Sequence, residues 1–340
     1  MKNISGKRLG ISAIVSGLGL ILLISGCALF EDEQTAKGRK LYHHYCMHCH
    51  GENGRQNEGF NWSSMSDPRP RDLSDKAAMS TFSDEEIFSA VSREMRDTSK
   101  EEVLNDENYF AVSTMPTFKY TLSEKEIWGV IGYVRTLHGM SLTYDLEARQ
   151  KELQGVLQEA EQALEAEKPV LEAAELKLEE AEEARSDDDD ETILPEEEAL
   201  EEVQAKFDGI QDIYDQAKAA VDNFSKRPKM NQVSRPDLAI SEEELPRLEE
   251  VGKQLYQNKY GCNGCHSINE QGGLVGPALD RAGFRLNDTW VYRWIRYPQG
   301  MKKHTRMPNL GINDQDARAV TAYLETLRAP KPDQPIAAPE

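Results

Sequence analysis

The sequence predicts an all-α protein in which two copies of one small helical unit flank a long antiparallel helical hairpin. Two observations support this organisation. The same order of motifs occurs once near each end of the chain: a helix, Cys-x-x-Cys-His, Met-Pro and a second helix. Between the copies, apolar residues recur at alternating steps of three and four, the spacing by which paired helices pack.

Each copy contains short stretches that match the other copy. Gly-Arg-Lys-Leu-Tyr begins at Gly38, and Gly-Lys-Gln-Leu-Tyr begins at Gly252. The 340 residues leave room for two or three domains. We therefore predict a first domain over residues 37–141 and a second domain over residues 247–330, with a linker at 228–246 and a Pro-rich tail at 331–340.

The first 26 residues have the form of an export signal. Three Lys or Arg residues precede an apolar run over residues 9–24, which is shorter than the roughly 20 residues that span a bilayer. The run ends in Ile-Ser-Gly-Cys, which resembles a bacterial lipobox with Cys27 as the lipidated residue; the alternative is an uncleaved signal anchor. The prediction is a periplasmic-side protein of the cell envelope, held to the inner or outer membrane by lipid through a tether at 27–36.

The negative charge is concentrated in the middle of the chain. The formal net charge is −20 at pH 7, and residues 145–226 contain 27 acidic and 8 basic residues. The rest of the chain is close to neutral. Because nucleic acid phosphates require a basic surface, this composition argues against a nucleic-acid partner.

Four of the five cysteines form two Cys-x-x-Cys pairs, each followed directly by a histidine. These residues are Cys46, Cys49 and His50 in the first pair, and Cys262, Cys265 and His266 in the second. Exported thiols tend to oxidise, so each pair is expected to be a disulfide, a metal site or a cofactor attachment. A dithiol redox pair needs no following histidine, and zinc ribbons place their two ligand pairs much closer together.

Cys-x-x-Cys-His is the attachment sequence of c-type haem. Two thiols add across the two vinyl groups of one porphyrin, and the adjacent histidine lies under the ring as an iron ligand. Since the motif occurs twice in a chain with an export signal, we predict two covalently bound haem c groups. Cys46 and Cys49 would attach the first, and Cys262 and Cys265 the second.

The Met-Pro dipeptide in each copy offers a sixth ligand for the iron. Met115 lies 65 residues after His50, and Met307 lies 41 residues after His266. Methionine is usually a core residue, but this dipeptide stands in the same relative place twice. Met95 and Met301 are the alternatives. Bis-histidine ligation is a further alternative, although surface positions are expected for the remaining histidines: His43, His44, His48, His138 and His304.

The order of these motifs resembles that of class I c-type cytochromes, over just more than half of the chain. The resemblance implies small all-helical domains whose N- and C-terminal helices cross beside the haem. It implies His50 and His266 as proximal iron ligands, and Met115 and Met307 as distal ligands.

The resemblance also implies a hydrogen bond from each proximal histidine to a proline carbonyl, which fixes the imidazole. In the second domain, Gly-Pro-Ala-Leu from Gly276 provides Pro277 for this role. The first domain departs from the pattern, and there Pro68 or Pro70 is the expected acceptor.

Two amphipathic helices are predicted within residues 142–227. The apolar positions of the first helix are Leu146, Leu153, Ala160, Ala174 and Ala181, with Leu157, Leu164, Leu171 and Leu178 on the adjoining row. Those of the second helix are Leu200, Val203, Phe207, Ile210, Tyr214, Ala217, Val221 and Phe224. This pattern is typical of a coiled-coil seam, so we predict an antiparallel coiled-coil hairpin.

The acidic residues 187–190 and Pro195 are expected to separate the two helices. The acidic run lacks the alternating ligands and glycine of an EF-hand loop, so a solvated turn is favoured over a calcium site. Pro169 is expected to bend the first helix. A hairpin returns the chain towards its starting point, which would let the two domains meet at its base. We expect the early half of the first helix, residues 146–157, to need a partner other than the second helix.

The sequence therefore predicts a membrane-anchored di-haem cytochrome that carries single electrons between a redox donor protein and an acceptor, without catalytic side chains. Histidine–methionine ligation raises the reduction potential above that of bis-histidine haem. The alternatives are a haem-bearing subunit of a larger membrane oxidoreductase complex and, less favoured, a di-haem peroxidase-type enzyme. The hairpin would dock on a membrane complex, self-associate or act as a spacer.

Overall fold

A computed structural model describes residues 32–59, 69–93, 115–184, 194–229 and 243–329, together with Leu238 and Ser241. Within these residues the regular structure is almost entirely helical, as the predicted all-α class requires. No helix among them is long and apolar enough to cross a membrane. Several predicted features lie outside the described residues: the export signal, Cys27, Pro68, Met95, residues 187–190 and the tail.

The described residues of the first domain form five α-helices and a short 3₁₀ helix, Gln56–Glu58. The α-helices are α1 (Glu33–Tyr45), α2 (Met47–His50), α3 (Lys76–Met79), α4 (Asp84–Val91) and α5 (Glu124–Leu137). Ser123 and Glu126 form a capping box that begins α5. Helices α1 and α5 cross at two glycines, where a Cβ on Gly38 would lie 1.8 Å from the carbonyl oxygen of Gly129. The backbones therefore touch at this crossing, and Tyr42 and Ile131 are fully buried beside it.

The hairpin follows as α6 (Leu146–Ala184) and α7 (Pro195–Ser225). The two helices run antiparallel, since Glu167 of α6 meets Lys206 near the middle of α7, with a 2.8 Å ion pair, while Gln150 shares a cleft with Ser225. Every predicted seam position of both helices is buried or half-buried. Pro169 lies within α6, which continues through it as one helix. At 1.5 Å per residue, the 39 residues of α6 extend about 58 Å.

The expectation that residues 146–157 need a partner other than the second helix is confirmed in part, because the first domain covers them together with α7. Helix α7 is long enough to reach the base of the hairpin, where Ser225 and Gln150 line one cleft. Leu153 is buried, and Leu146 packs against the core of the first domain. The early half of α6 is therefore covered by α7 and by the first domain together.

The second domain is built in the same way around another helix crossing. It contains α8 (Leu245–Gln254), α9 (Ala282–Arg285), α10 (Asp288–Arg296), α11 (Pro298–Met301) and α12 (Asp314–Thr326), with a short antiparallel ribbon of β1 (Ser267–Ile268) and β2 (Gln271–Gly272). Helices α8 and α12 cross where a Cβ on Gly252 would lie 1.9 Å from the carbonyl oxygen of Ala319. The crossing of the first and last helices, which the resemblance implied, is thus present in both domains.

The base of the hairpin is joined to the first domain by aromatic and polar contacts. The Trp128 ring of α5 lies between those of Phe88 and Tyr144, with centroid distances of 4.5 Å and 3.7 Å and nearly parallel planes. The Asp84 carboxylate accepts hydrogen bonds from the backbone N–H of Thr143 (2.7 Å) and of Tyr144 (3.2 Å). Just after the end of α7, the Arg227 side chain forms a 2.8 Å ion pair with Glu126 of the first domain. The first domain and the hairpin therefore form one packed unit.

Candidate functional site

The first Cys-x-x-Cys-His motif lies where α1 ends and α2 begins. Cys46 forms the turn between these helices, and its carbonyl accepts hydrogen bonds from the N–H groups of Cys49 (3.1 Å) and His50 (3.0 Å). Gly51 follows with a φ of +83°, and a Cβ there would lie 2.4 Å from the Arg55 carbonyl oxygen. A glycine is required at this position, and it turns the chain away directly after the histidine.

The second motif adopts the same hydrogen-bonded turn. The Cys262 carbonyl accepts from the N–H groups of Cys265 (3.1 Å) and His266 (2.9 Å). The turn is a short 3₁₀ helix over Cys262–Gly264, preceded by Gly261 in the left-handed conformation. Both turns therefore bring two thiols and one imidazole onto a single short segment, which is the geometry that attachment of one porphyrin requires.

The two motif histidines have equivalent hydrogen bonds at Nδ1. His266 Nδ1 donates to the Pro277 carbonyl oxygen at 2.8 Å, the acceptor that was predicted. His50 Nδ1 donates to the Arg71 carbonyl oxygen at 3.0 Å, so the expected proline acceptor in the first domain is wrong. The physical reason lies two residues farther on, where Leu73 N–H donates to the Gly54 carbonyl (2.8 Å) and fixes the segment with the Arg71 carbonyl towards the histidine.

A proton on Nδ1 leaves the Nε2 lone pair of each motif histidine available to a metal. In the second domain the imidazole lies directly against Gly276, where a Cβ would come within 2.3 Å of His266 Cε1. Only glycine leaves room for the ring in this orientation. Burial lowers the pKa of both His50 and His266 despite their hydrogen bonds to carbonyls, which favours the neutral imidazole that an iron ligand requires.

The four motif cysteines are half-buried, and for three of them these surroundings favour the protonated thiol. Burial raises the pKa of Cys46, Cys262 and Cys265 to about 12 in each case. A reactive dithiol pair instead requires a lowered thiol pKa. The four motif cysteines are not in disulfides. In the described part of the chain, no three His, Cys, Asp or Glu side chains are arranged to share one metal ion. The donor set of each motif therefore fits covalent attachment of haem with histidine as iron ligand.

The predicted distal methionines are half-buried at the edges of the two domain cores. Met115 packs against the apolar cluster of the first domain, which Tyr45, next to Cys46, also contacts. Met307 packs against the apolar cluster of the second domain, which Cys262 also contacts. Met307 thus borders the same core as its own Cys-x-x-Cys-His motif, whereas Cys46 packs against a neighbouring cluster that shares Leu41 and Ile87 with the cluster at Met115. The alternative Met301 ends α11 and is also half-buried.

Two side chains that the sequence did not single out hold the backbone at these methionines. The Arg93 guanidinium donates to the carbonyl oxygen of Met115. In the second domain, Gln299 Nε2 donates to the carbonyl oxygen of Met307 at 2.6 Å. Arg93 lies 22 residues before its acceptor and Gln299 only 8 residues before. No sequence signal marks either pairing, because the contact depends on how the intervening chain folds.

The prediction that the remaining histidines lie at the surface is wrong for two of them. His48 and His138 are only 5% and 4% exposed, whereas His304 is exposed and His43 and His44 are half-buried. His138 Nδ1 donates to the Leu73 carbonyl oxygen at 3.0 Å, so this side chain helps to hold the segment that also supports His50. Burial lowers the pKa of His48 and of His138.

Comparison with known proteins identifies one family. The cytochrome c family model matches the chain twice, over residues 35–138 and over residues 249–328. No curated protein and no solved structure gives a significant match to this chain. Each matched region contains one Cys-x-x-Cys-His motif and one Met-Pro dipeptide, and haem c bound through such motifs is the cofactor of this family. Since the two regions cover more than half of the chain, the protein belongs to the cytochrome c family.

Proposed function

We propose that this protein is a di-haem c-type cytochrome that carries single electrons between a donor protein and an acceptor protein of a bacterial electron-transport chain. One observation carries the proposal: the same Cys-x-x-Cys-His turn occurs twice, each time with a histidine Nδ1 bonded to a backbone carbonyl. The two matches to the cytochrome c family support one haem for each domain.

The chain's own residues attach and orient each haem. Cys46 and Cys49 would form the thioether bonds of the first haem, and Cys262 and Cys265 those of the second. His50 and His266 would bind iron through Nε2, because the carbonyls of Arg71 and Pro277 hold the proton on Nδ1. These hydrogen bonds fix the plane of each imidazole and raise its basicity. When bound, haem supplies a one-electron iron couple.

Met115 and Met307 would each supply the second protein ligand to one haem iron. The Arg93 and Gln299 side chains restrain the backbone at these residues through the methionine carbonyls. If Met115 and Met307 bind the two irons, neither iron would offer a free coordination position to a peroxide substrate. This arrangement favours an electron carrier over a di-haem peroxidase.

Absorption spectroscopy of the haem-loaded protein tests the ligand assignment. The ferric protein should show the weak far-red band of iron–methionine ligation. Met115→His and Met307→His should each remove about half of this band and lower the potential of one haem. Met301→Leu is the matched control and should leave the band unchanged. Absence of the band from the wild type would contradict both distal assignments.

We propose further that a lipid on Cys27 anchors the protein on the periplasmic side of the cell envelope. The basic start, the short apolar run and the Ile-Ser-Gly-Cys sequence support this proposal. The protein should partition into the detergent phase, and Cys27→Ser should release it or leave an uncleaved precursor. Recovery of the wild type as a soluble periplasmic protein would contradict the anchor.

A second candidate function is that of a haem-bearing subunit in a larger membrane oxidoreductase complex. It is favoured by the surface of the hairpin, where Val156, Val170, Leu176 and Ile213 are between 45% and 57% exposed. The excess of acidic residues disfavours pairing with a second copy, because like charges repel. We propose instead that the hairpin docks on a partner protein with a basic surface.

Replacing the four exposed apolar residues of the hairpin by Gln tests this docking. Co-purification of a membrane complex with the wild type, and its loss from the variant with both haems retained, would support the subunit function. Equal recovery of partners by both proteins would show that this surface is not a docking site and leave the hairpin as a spacer.

A further inference from the structure

The two loops that carry the predicted distal methionines contact each other across the interface between the domains. Thr121 lies six residues after Met115, and Asn309 lies two residues after Met307. The Thr121 hydroxyl donates to the Asn309 carbonyl oxygen at 3.2 Å and accepts a hydrogen bond from the Asn309 N–H at 2.8 Å. One side chain of the first domain therefore satisfies both backbone groups of a residue in the second.

Neighbouring contacts close the interface around this hydroxyl. The Tyr120 ring lies so close to Gly311 that a Cβ there would come within 2.5 Å of Tyr120 Cε2. Gly311 also has a φ of +66°. Both the close Tyr120 ring and this backbone conformation therefore require glycine at the position. Thr121 itself is only 4% exposed. A buried hydrogen bond is costly to leave unmade, so this contact restrains the loop more than an exposed one would.

The backbone of Met307 is restrained on both sides. Its N–H donates to Thr305 Oγ1 at 3.2 Å, and its carbonyl accepts from Gln299 Nε2 at 2.6 Å. The first domain contacts the chain just after Met307 through Thr121.

The first haem-attachment motif lies near the same interface. His44, two residues before Cys46, lies with its Nε2 3.4 Å from the Thr305 carbonyl oxygen. The first domain therefore also contacts the chain two residues before Met307.

We infer that the first domain positions the iron-ligand loop of the second, and that Thr121 is the positioning residue. The inference rests on the proposed function, in which Met307 is an iron ligand. Methionine and an added ligand such as imidazole compete for the same position on ferric iron. Any free energy that holds the loop in place therefore opposes imidazole at the second haem and leaves the first haem unaffected.

Imidazole titration of the ferric, full-length, haem-loaded protein tests this inference. Thr121→Val keeps the shape of the side chain but removes both hydrogen bonds to Asn309. The second haem should then bind imidazole about ten-fold more tightly, the size expected for the loss of two such bonds. The first haem should titrate as in the wild type. The phase that belongs to the second haem is identified as the one that Met307→His removes.

Two controls separate positioning from general destabilisation. Thr121→Ser retains the hydroxyl and should restore most of the wild-type affinity for imidazole. Thr136→Val removes a hydroxyl that donates to the Tyr133 carbonyl oxygen within α5, and should change neither haem. Tyr120→Ala, which removes the ring against Gly311, should shift the second haem in the same direction by a smaller factor and replaces Thr121→Val if that variant does not fold.

Unchanged imidazole affinity at the second haem of Thr121→Val would overturn the inference, and so would an equal increase at both haems. Failure of the proposed function gives a different result. In that case the wild type would already lack the far-red iron–methionine band of the second haem, before any variant is made.

Discussion

The two domains use the same local arrangement to present a histidine, but they are supported differently. Each has a helix crossing at a glycine and a Cys-x-x-Cys-His turn. The second domain holds its histidine with a Gly-Pro segment inside its own fold. The first uses the Arg71 carbonyl and is braced by the hairpin through Asp84 and Tyr144. The comparison shows that only a few specific residues are needed to orient the motif histidine, whereas the contacts that stabilise the rest of each domain can differ.

The largest expected effect concerns Asp84, which connects the core of the first domain to the base of the hairpin. Asp84 and Arg135 are an almost fully buried ion pair with a 2.6 Å contact, and Asp84 also accepts from Thr143. Asp84→Asn leaves the arginine charge buried without its counter-ion, which should lower the free energy of unfolding by about 3–5 kcal/mol. Urea unfolding measured by circular dichroism checks this value.

The exposed neighbour Glu85 provides the control for this variant. Glu85→Gln should change the free energy of unfolding by less than about 0.5 kcal/mol. If Asp84→Asn lowers the free energy of unfolding as little as Glu85→Gln does, the buried ion pair does not stabilise the first domain.

The helix crossings should be equally sensitive in the two domains. A Cβ at Gly38 or Gly252 would overlap a backbone carbonyl, so Gly38→Ala and Gly252→Ala should each cost about 1–3 kcal/mol of stability. The control is Gly209→Ala in α7, where nothing lies within 4 Å of the added methyl group. Its higher helix propensity should stabilise the hairpin by up to about 1 kcal/mol. A crossing glycine that accepts alanine as readily as Gly209 would contradict the observed packing.

The support from Asp84 should also depend on pH. Burial raises the pKa of Asp84, but hydrogen bonds from Thr143 and Arg135 outweigh it, and the pKa lies below its usual value. A lowered carboxylate pKa contributes stability above its unfolded-state value, near 3.9, which is lost as the pH falls through the folded-state pKa. The wild type should therefore lose more stability than Asp84→Asn as the pH falls below about 4. Parallel acid-unfolding curves for the two proteins would contradict this role.

The smallest expected effect concerns the aromatic contact at the base of the hairpin. Tyr144→Leu keeps an apolar side chain against Trp128 but removes the stacked ring, at a cost of about 0.5–1.5 kcal/mol. Thermal unfolding checks this prediction. The control is Tyr214→Leu on the hairpin seam, which should affect the hairpin without changing the tryptophan fluorescence of the first domain. No change in that fluorescence for Tyr144→Leu would argue against the stack.

The features that sequence could predict are those that short-range patterns encode. The Cys-x-x-Cys-His turns and the hairpin seam follow from spacing within one segment, and the Pro277 acceptor is implied by the resemblance to class I c-type cytochromes. The Arg71 acceptor, the burial of His138 and the Thr121–Asn309 contact depend on how distant segments meet, and the last pair is separated by 188 residues. The full set of partners of residues 146–157 could not be predicted for the same reason, because both the first domain and α7 cover these residues.

The most direct test of the central claim, that each domain holds its own haem, is the mass of the acid–acetone-extracted chain after expression with haem-maturation machinery. The wild type should carry two covalent haems. The Cys46→Ala/Cys49→Ala and Cys262→Ala/Cys265→Ala variants should each carry one, with the iron–methionine band of the other domain retained. A wild type that binds zinc and no haem, or one whose two cysteine pairs must both be intact for any haem to attach, would contradict the account.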